Sequence, residues 1–301
     1  MKCNLCPRHC GVDRSLKGGF CGAQNLRVAK VMKHFWEEPI ISGTNGSGAI
    51  FFSHCSLKCC FCQNYEISHL GKGEDISVQK LAEIFKELEN SGVHNINLVS
   101  PTHYTNEIIE ALKIYKPNIP IVWNTNSYEE VETIKKLKDY VDIYLADLKV
   151  CSKEISSELL GAPNYFERAS QAILEMRKNQ PVDVIENDIM KKGIIVRHLV
   201  MPTYQDDSLK ILDWINENLG NETYISLMSQ YTPCYKAKFP IDRKLKPLEY
   251  KIVLKKCEKL GFCNGFTQEF SSASTNYIPK FWCWLFNYYI YNWKYENWTI
   301  W

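Results

Sequence analysis

The chain has 301 residues, 45% of them apolar, enough for one large α/β barrel-like domain or two ordinary domains. Lys and Arg number 36 against 34 Asp and Glu, and the formal charge of +2 gives no overall electrostatic drive toward nucleic acid or an anionic membrane. The opening Met1-Lys2-Cys3-Asn4-Leu5-Cys6 lacks the apolar core of a secretory signal, so the expected location is the cytoplasm, where 13 cysteines suit metal or cluster binding better than disulfides.

Four cysteines come first: Cys3-x2-Cys6-Pro7-Arg8-x-Cys10 and, after the flexible Lys17-Gly18-Gly19, Cys21-Gly22. Four thiols close a site, which reads either as structural zinc or as a second, saturated iron–sulfur cluster. Zinc normally pairs two C-x2-C knuckles, and the second is missing here. This segment is expected to span residues 1–45. The first strand, Ala49-Ile50-Phe51-Phe52, then leads into Cys55-Ser56-Leu57-Lys58-Cys59-Cys60-Phe61-Cys62, which contains C-x3-C-x2-C. Three thiolates so spaced on one loop wrap a face of a cube-shaped cluster and leave its fourth iron without a protein ligand, a position for substrate or cofactor. Zinc at the triplet would need a fourth ligand such as His54 or His69. Cys60 is extra. The scattered Cys151, Cys234, Cys257, Cys263 and Cys283 read as small buried hydrophobes.

Downstream, Val78, Leu81, Ile84, Phe85 and Leu88 recur at helical spacing and stop at Gly92. Strands are expected at Ile96–Val99, Ile121–Trp123, Ile143–Leu145, Ile194–Val196 and Tyr224–Leu227, alternating with helices near 106–115, 166–178, 209–219 and 248–260. Ser127 with Glu130 forms a capping box that opens a further helix through Val131, Ile134 and Leu137. Repeated β-then-α predicts a parallel sheet with crossover helices over residues 46–280, a partial barrel or a doubly wound sheet, with the site at the carboxyl ends of the strands. Polar residues fall at those ends: Asn124-Thr125-Asn126, Asp147-Leu148-Lys149, Arg197-His198 and Met228-Ser229-Gln230-Tyr231. Any one of these alone reads equally well as a helix cap. Four of them in register with a cysteine loop point to a site. The last segment, residues 281–301, is crowded with aromatics; its least polar stretch is too short to span a bilayer, and it is assigned no role.

With Phe61 just before its last cysteine, the triplet resembles the hallmark of the radical SAM superfamily. To about Lys280 the chain is similar to the pyruvate formate-lyase activating enzyme-like group, and its cysteine-rich amino terminus resembles that of the related AmmeMemoRadiSam proteins. The resemblance implies a partial (β/α)6 radical SAM barrel. It implies a 4Fe-4S cluster on Cys55, Cys59 and Cys62 whose unique iron binds S-adenosylmethionine, and reductive cleavage to methionine and a 5'-deoxyadenosyl radical that abstracts hydrogen. By similarity, Asn124 hydrogen-bonds the methionine amino group or ribose, Asp147 and Lys149 form an Asp-x-Lys pair meeting cofactor and substrate peptide, and Arg197 suits a carboxylate through its fixed fork of donors. Phe61, Thr102 and Gln230 complete the cofactor contacts that the resemblance implies.

Two departures stand out. Ser100-Pro101-Thr102-His103 occupies the place of a Gly-Gly-Glu type turn, which would move contact with the methionine amine to the backbone around Ser100 or to Thr102 and turn His103 toward substrate. His54 stands where activating enzymes often have Gly, beside the cluster, where it would tune the potential. The favoured expectation is an oxidoreductase of anaerobic or microaerobic cytoplasm that makes a glycyl radical in a partner protein, fed by a flavodoxin- or ferredoxin-like electron donor. One alternative is a radical SAM enzyme modifying a small molecule or another protein. Another is an iron–sulfur electron-transfer or redox-sensing protein that never cleaves the cofactor, for which Asp147, Lys149 and Arg197 would have no use.

Overall fold

The computed structural model describes residues 2–268 and 298–300. Seven strands run parallel, in chain order across the sheet: β2 (Ser47–Phe52), β4 (Ile96–Val99), β5 (Ile121–Thr125), β6 (Ile143–Asp147), β8 (Ile189–Leu199), β9 (Tyr224–Met228) and β10 (Gly265–Gln268). The first six are those expected from the apolar runs; β10 is an addition. Beyond β2 lie β1 (Arg27–His34) and β3 (Glu74–Asp75), both antiparallel to their neighbours. Beyond β10 lies β11 (Trp298–Ile300), also antiparallel. The short β7 (Val184–Glu186) folds as a hairpin onto β8. With β3 and β11 at its two ends the sheet stays open, a partial barrel rather than a closed one.

Burial explains why the central strands were legible. All six residues of β2 and all five of β5 are buried, as expected of strands covered on both faces. In β1 partly exposed residues, Lys30 and Lys33 among them, break any apolar run, which is why a residue-pattern reading passes over it. After the single turns α1 (Pro39–Ser42) and α2 (Tyr65–Ser68), helices α3 (Val78–Asn90), α4 (Thr105–Ile114), α5 (Val131–Lys136), α6 (Lys153–Leu160), α7 (Tyr165–Asn179), α8 (Gln205–Leu219) and α9 (Pro247–Leu260) make the crossovers. Ser77 caps α3 by accepting from Lys80 N, and Leu81, Ile84, Phe85 and Leu88 face the sheet. The core joins them to Phe52, Leu98, Trp123 and Tyr144.

One expected cap is corrected. Ser127 and Glu130 do not form a capping box, because Asn126 Oδ1 accepts from Tyr128 N at 2.9 Å and Thr125 Oγ1 from Ser127 N at 3.0 Å. These bonds hold Ser127 at φ +62° in a turn, so α5 begins only at Val131, and Glu130 turns to His9 at 2.7 Å instead. Helix α6, which the apolar pattern did not announce, has Ser152 at its amino end and Gly161 in the left-handed conformation at its carboxyl end. Its last carbonyls accept from the cysteine loop: Lys58 N to Leu160 O at 3.1 Å and Cys60 N to Leu159 O at 2.9 Å. Among the described residues no helix is long and apolar enough to cross a membrane. The aromatic segment from residue 281 lies outside the described residues except for β11.

Candidate functional site

A cavity of about 280 Å³ opens at the carboxyl ends of β2, β4, β5, β6, β8 and β9, at the low end of the size of ligand cavities. Cys55, Cys59 and Cys62 line it, and Cys60 does not. Cys60 is directed away by the backbone bonds that tie the loop to α6 and to Lys236, whose N donates to Cys60 O at 2.8 Å. Burial pushes the Cys62 thiol up to about 11 and the Cys59 thiol well above its ordinary value. Such desolvated sulfurs ionise readily only against a strong positive centre, which a bound metal cluster supplies. Polar groups already approach the sulfurs: Asn126 Nδ2 lies 3.2 Å from Cys55 Sγ and Ser68 Oγ 3.2 Å from Cys62 Sγ. Among the described residues no three His, Cys, Asp or Glu side chains gather as a cage for a single metal ion. The three thiols line the cavity together, a donor set of soft sulfurs that suits an iron–sulfur cluster.

On the other side of the cavity the strand ends meet in one ionic network. Arg197 Nε donates to Asp147 Oδ1 at 2.8 Å, Nη2 to Asn124 Oδ1 at 2.7 Å and Nη1 to Glu37 Oε2 at 2.9 Å. Glu37 Oε1 accepts from Asn124 Nδ2 and Asn97 Nδ2, both at 3.0 Å, and Lys149 Nζ donates to Asp147 Oδ2 at 2.7 Å. Burial pushes Asp147 up, but the Arg197 guanidinium and the Lys149 ammonium outweigh it and hold the carboxyl below its ordinary value. Lys149 is raised despite its burial, by Asp147 first and then by Cys59, so its charge faces the cysteine loop. Because Arg197 spends its fork on Glu37, Asn124 and Asp147, it locks the site rather than offering a free clamp. Lys149, with one of its three donors used among the described residues, keeps capacity there for an anionic ligand.

The structure brings Phe61, Asn124, Asp147, Lys149, Arg197 and Gln230 to the same cavity as the cysteine triplet. Phe61 is buried with its ring 6.0 Å from that of Tyr231, and Gln230 closes the side formed by β9. Thr102 is not brought there. It is buried in a short 3-10 turn, where its carbonyl accepts from Thr105 Oγ1 at 2.6 Å and its hydroxyl serves the buried Glu129 carboxylate. Ser100, at φ +57°, faces the cavity in its place. His103 does not turn outward either: its Nε2 is 2.7 Å from Ser53 O, and burial drops its pKa to about 3, leaving the ring neutral. His54 lines the cavity in the left-handed conformation at φ +74°.

Glu37 lines the cavity and belongs to the ionic network, yet no strand-end pattern in the sequence pointed to it. It lies outside the repeating strand-helix pattern, between β1 and the single helical turn Pro39–Ser42. The available signal was a pair of acids, Glu37-Glu38, set between Trp36 and an apolar Pro39-Ile40-Ile41. Both are buried; burial raises Glu37, with Arg197 opposing, and raises Glu38 to about 7.

The amino-terminal cysteines form a separate knot. Cys3 N donates to Val12 O at 2.9 Å, and Gly11 N donates back to Cys3 O at 3.2 Å. A Cβ built on Gly19 would stand 3.0 Å from Cys10 Sγ and 3.8 Å from Cys21 Sγ, so a glycine is what lets these thiols come together. Burial pushes Cys6 up to about 12, with Cys21, Cys3 and Cys10 adding to it as neighbouring charges.

Sequence comparison agrees with this geometry. The model of the radical SAM superfamily matches residues 49–215, a stretch that begins at β2 and includes the cysteine triplet, Asp147 and Arg197. Two relatives come from Methanocaldococcus jannaschii: the uncharacterized protein MJ0674 is 34% identical over 272 residues, 85% of this chain and 74% of that one. MJ0808 is 24% identical over 326 residues, 99% and 90% of the respective chains. Similar solved structures include Streptococcus suis SuiB bound to S-adenosylmethionine, at TM-score 0.49 and 16% identity over 71% of this chain and 48% of that one. They also include native anSMEcpe with bound AdoMet, at TM-score 0.48 and 16% identity over 74% and 59%. The FeFe-hydrogenase maturase HydG from Carboxydothermus hydrogenoformans aligns at TM-score 0.47 and 17% identity over 68% and 49%. The chain spans roughly half the length of these solved proteins. A family match over more than half of the chain, laid on the very strands that carry the cysteine loop and the ionic network, makes this protein a member of the radical SAM superfamily.

Proposed function

We propose that Cys55, Cys59 and Cys62 hold a 4Fe-4S cluster and that the cavity binds S-adenosylmethionine against it. We propose further that the protein acts as a glycyl-radical-enzyme activase-like enzyme on a partner protein. The observation that carries the cofactor reading is the sharing of one cavity by three of the four loop thiols and the Asp147–Lys149–Arg197 network. When bound, the cluster and cofactor supply one electron and a 5'-deoxyadenosyl radical able to take a hydrogen atom. The protein's part is to hold, orient and keep dry. Lys149 offers its spare donors to the cofactor carboxylate, and Asn124, fixed by Arg197 and Glu37, presents a hydrogen-bonding edge to its amine or ribose. Asn126 and Ser68 place N–H and O–H donors on cluster sulfurs, which favours the reduced state by stabilising added negative charge. Phe61 and Tyr231 close the apolar side and exclude water. The action on a partner glycine rests on the family resemblance alone. Anaerobic reconstitution, reduction with dithionite and an assay for 5'-deoxyadenosine test the cofactor step, and its formation is the expected result. A glycyl radical signal on mixing with a glycyl radical enzyme tests the second step. Deoxyadenosine without that signal moves the reading to another protein or a small molecule as substrate.

A further inference from the structure

The proposed reaction needs one electron at the cysteine triplet, where Cys59 is buried and Cys55 and Cys62 are half-buried, and a line of contacts leads from Cys62 to the surface. Cys62 Sγ is 3.2 Å from Ser68 Oγ, which is 2.8 Å from His69 Nδ1. The His69 ring lies 4.9 Å from the ring of Tyr235, which in turn stacks on Tyr65 at 4.9 Å and 14°. Tyr235 is 38% exposed and belongs to the loop after β9. The bond from Lys236 N to Cys60 O at 2.8 Å fastens that loop to the cysteine loop, so the contact is built into the fold.

The rim of this spot is basic and apolar. Lys236 Nζ sits 5.2 Å from the Tyr235 ring centroid, Lys238 is exposed, and the charges that act on His69 are those of Lys58 and Lys236. Glu66, the carboxylate on the short helix Tyr65–Ser68, is paired with Lys72 at 2.5 Å. Leu70 and Phe239 add exposed apolar surface.

We propose that Tyr235 and Lys236 form the landing point of an acidic one-electron carrier protein and that Ser68 and His69 couple it to the cluster. This rests on the cluster assignment above. Lysines around a small exposed ring suit the brief, electrostatically steered encounters of electron transfer. The reduced carrier loses one electron and the oxidised cluster gains it. No bond is made or broken, and Tyr235 acts as a tunnelling contact without being oxidised.

The test uses the full chain with its cluster reconstituted anaerobically and follows cluster bleaching without S-adenosylmethionine, so cofactor cleavage does not enter the readout. Reduced flavodoxin is the acidic carrier and dithionite the small reductant. Lys236→Glu and Tyr235→Ala should slow reduction by flavodoxin about tenfold or more, since like charge at a rim acts on the encounter rate. Tyr235→Phe, which keeps the stack, and dithionite reduction of every variant should stay within about twofold of the parent. Flavodoxin reducing both variants at the parental rate, or failing on a parent that dithionite reduces, overturns the proposal while the cluster assignment stands. Equal slowing with dithionite overturns it too, because the defect then lies in the fold. A chain that assembles no cluster overturns both readings.

Discussion

The two cysteine groups use the same residue type in different surroundings. The triplet sits on a loop between β2 and the turn Tyr65–Ser68, clamped from below by the carbonyls of Leu159 and Leu160, and its thiols share a cavity with fixed charges. Among the described residues the amino-terminal quartet has no strand beneath it beyond the isolated Lys2–Asp13 bridge and is held by side chains reaching across. Arg8 donates to Ser56 O at 2.8 Å and Gly161 O at 2.7 Å, Thr133 Oγ1 donates to Leu5 O at 2.9 Å, and Arg14 donates to His103 O. Spacing makes both groups candidate ligand sets. The cavity and charged network beside the triplet make it the candidate for a further ligand as well.

The largest expected effect separates cysteines within the triplet loop. Cys55→Ala, Cys59→Ala and Cys62→Ala should each abolish deoxyadenosine formation and lower iron content, whereas Cys60→Ala should leave both near the parent. Full activity in a Cys59→Ala protein would break the contrast drawn here.

Next comes the network opposite the loop. Arg197→Leu strips the buried Glu37 and Asp147 of their shared counterion, and a loss of about 3–5 kcal/mol of stability is expected in denaturant titrations. Glu37→Gln keeps the shape and should cost less, yet should weaken S-adenosylmethionine binding by loosening Asn124. Calorimetric binding at the parental affinity would reduce Glu37 to a structural part.

The quartet should respond more mildly. Arg8→Ala removes two charge-assisted hydrogen bonds to the barrel, about 2 kcal/mol, without preventing assembly of the triplet cluster. Metal analysis sharpens the contrast: about four irons with one zinc fits a structural knuckle, and about eight irons without zinc fits a second cluster. Four irons and no zinc in protein carrying all seven thiols rejects both.

The last contrast is in pH. Glu38 titrates at about 7 in the fold against an ordinary value of 4.5, so the folded state holds a proton that the unfolded state has lost. Stability should therefore fall as pH rises from about 4.5 to 7 and level off above, and Glu38→Gln should flatten that fall. Glu249 has the opposite sign. Arg243 holds it down to about 2, so its contribution is present above the ordinary carboxylate pKa and is lost as pH drops toward 2.

The sequence made the six central strands readable because burial on both faces writes continuous apolar runs, as in Ala49–Phe52 and Ile121–Trp123. It made the cysteine loop and the polar residues that line the cavity at the strand ends readable because parallel sheets put sites there. Strand β1 and Glu37 were not legible, since they lie outside the repeating unit and reach the site only by antiparallel pairing across β2. Of the two expected contacts at this turn, Ser100 lines the cavity and Thr102 does not: left-handed at φ +57°, Ser100 redirects the chain, which sequence spacing does not encode.

If the triplet and the strand-end network form one cofactor site, electron paramagnetic resonance of the dithionite-reduced, reconstituted protein should change on adding S-adenosylmethionine, because a cluster held by three thiols would keep one iron open to the cofactor. The change should be weaker in Glu37→Gln. A signal unaltered by saturating S-adenosylmethionine would mean that the two halves of the cavity do not bind one cofactor.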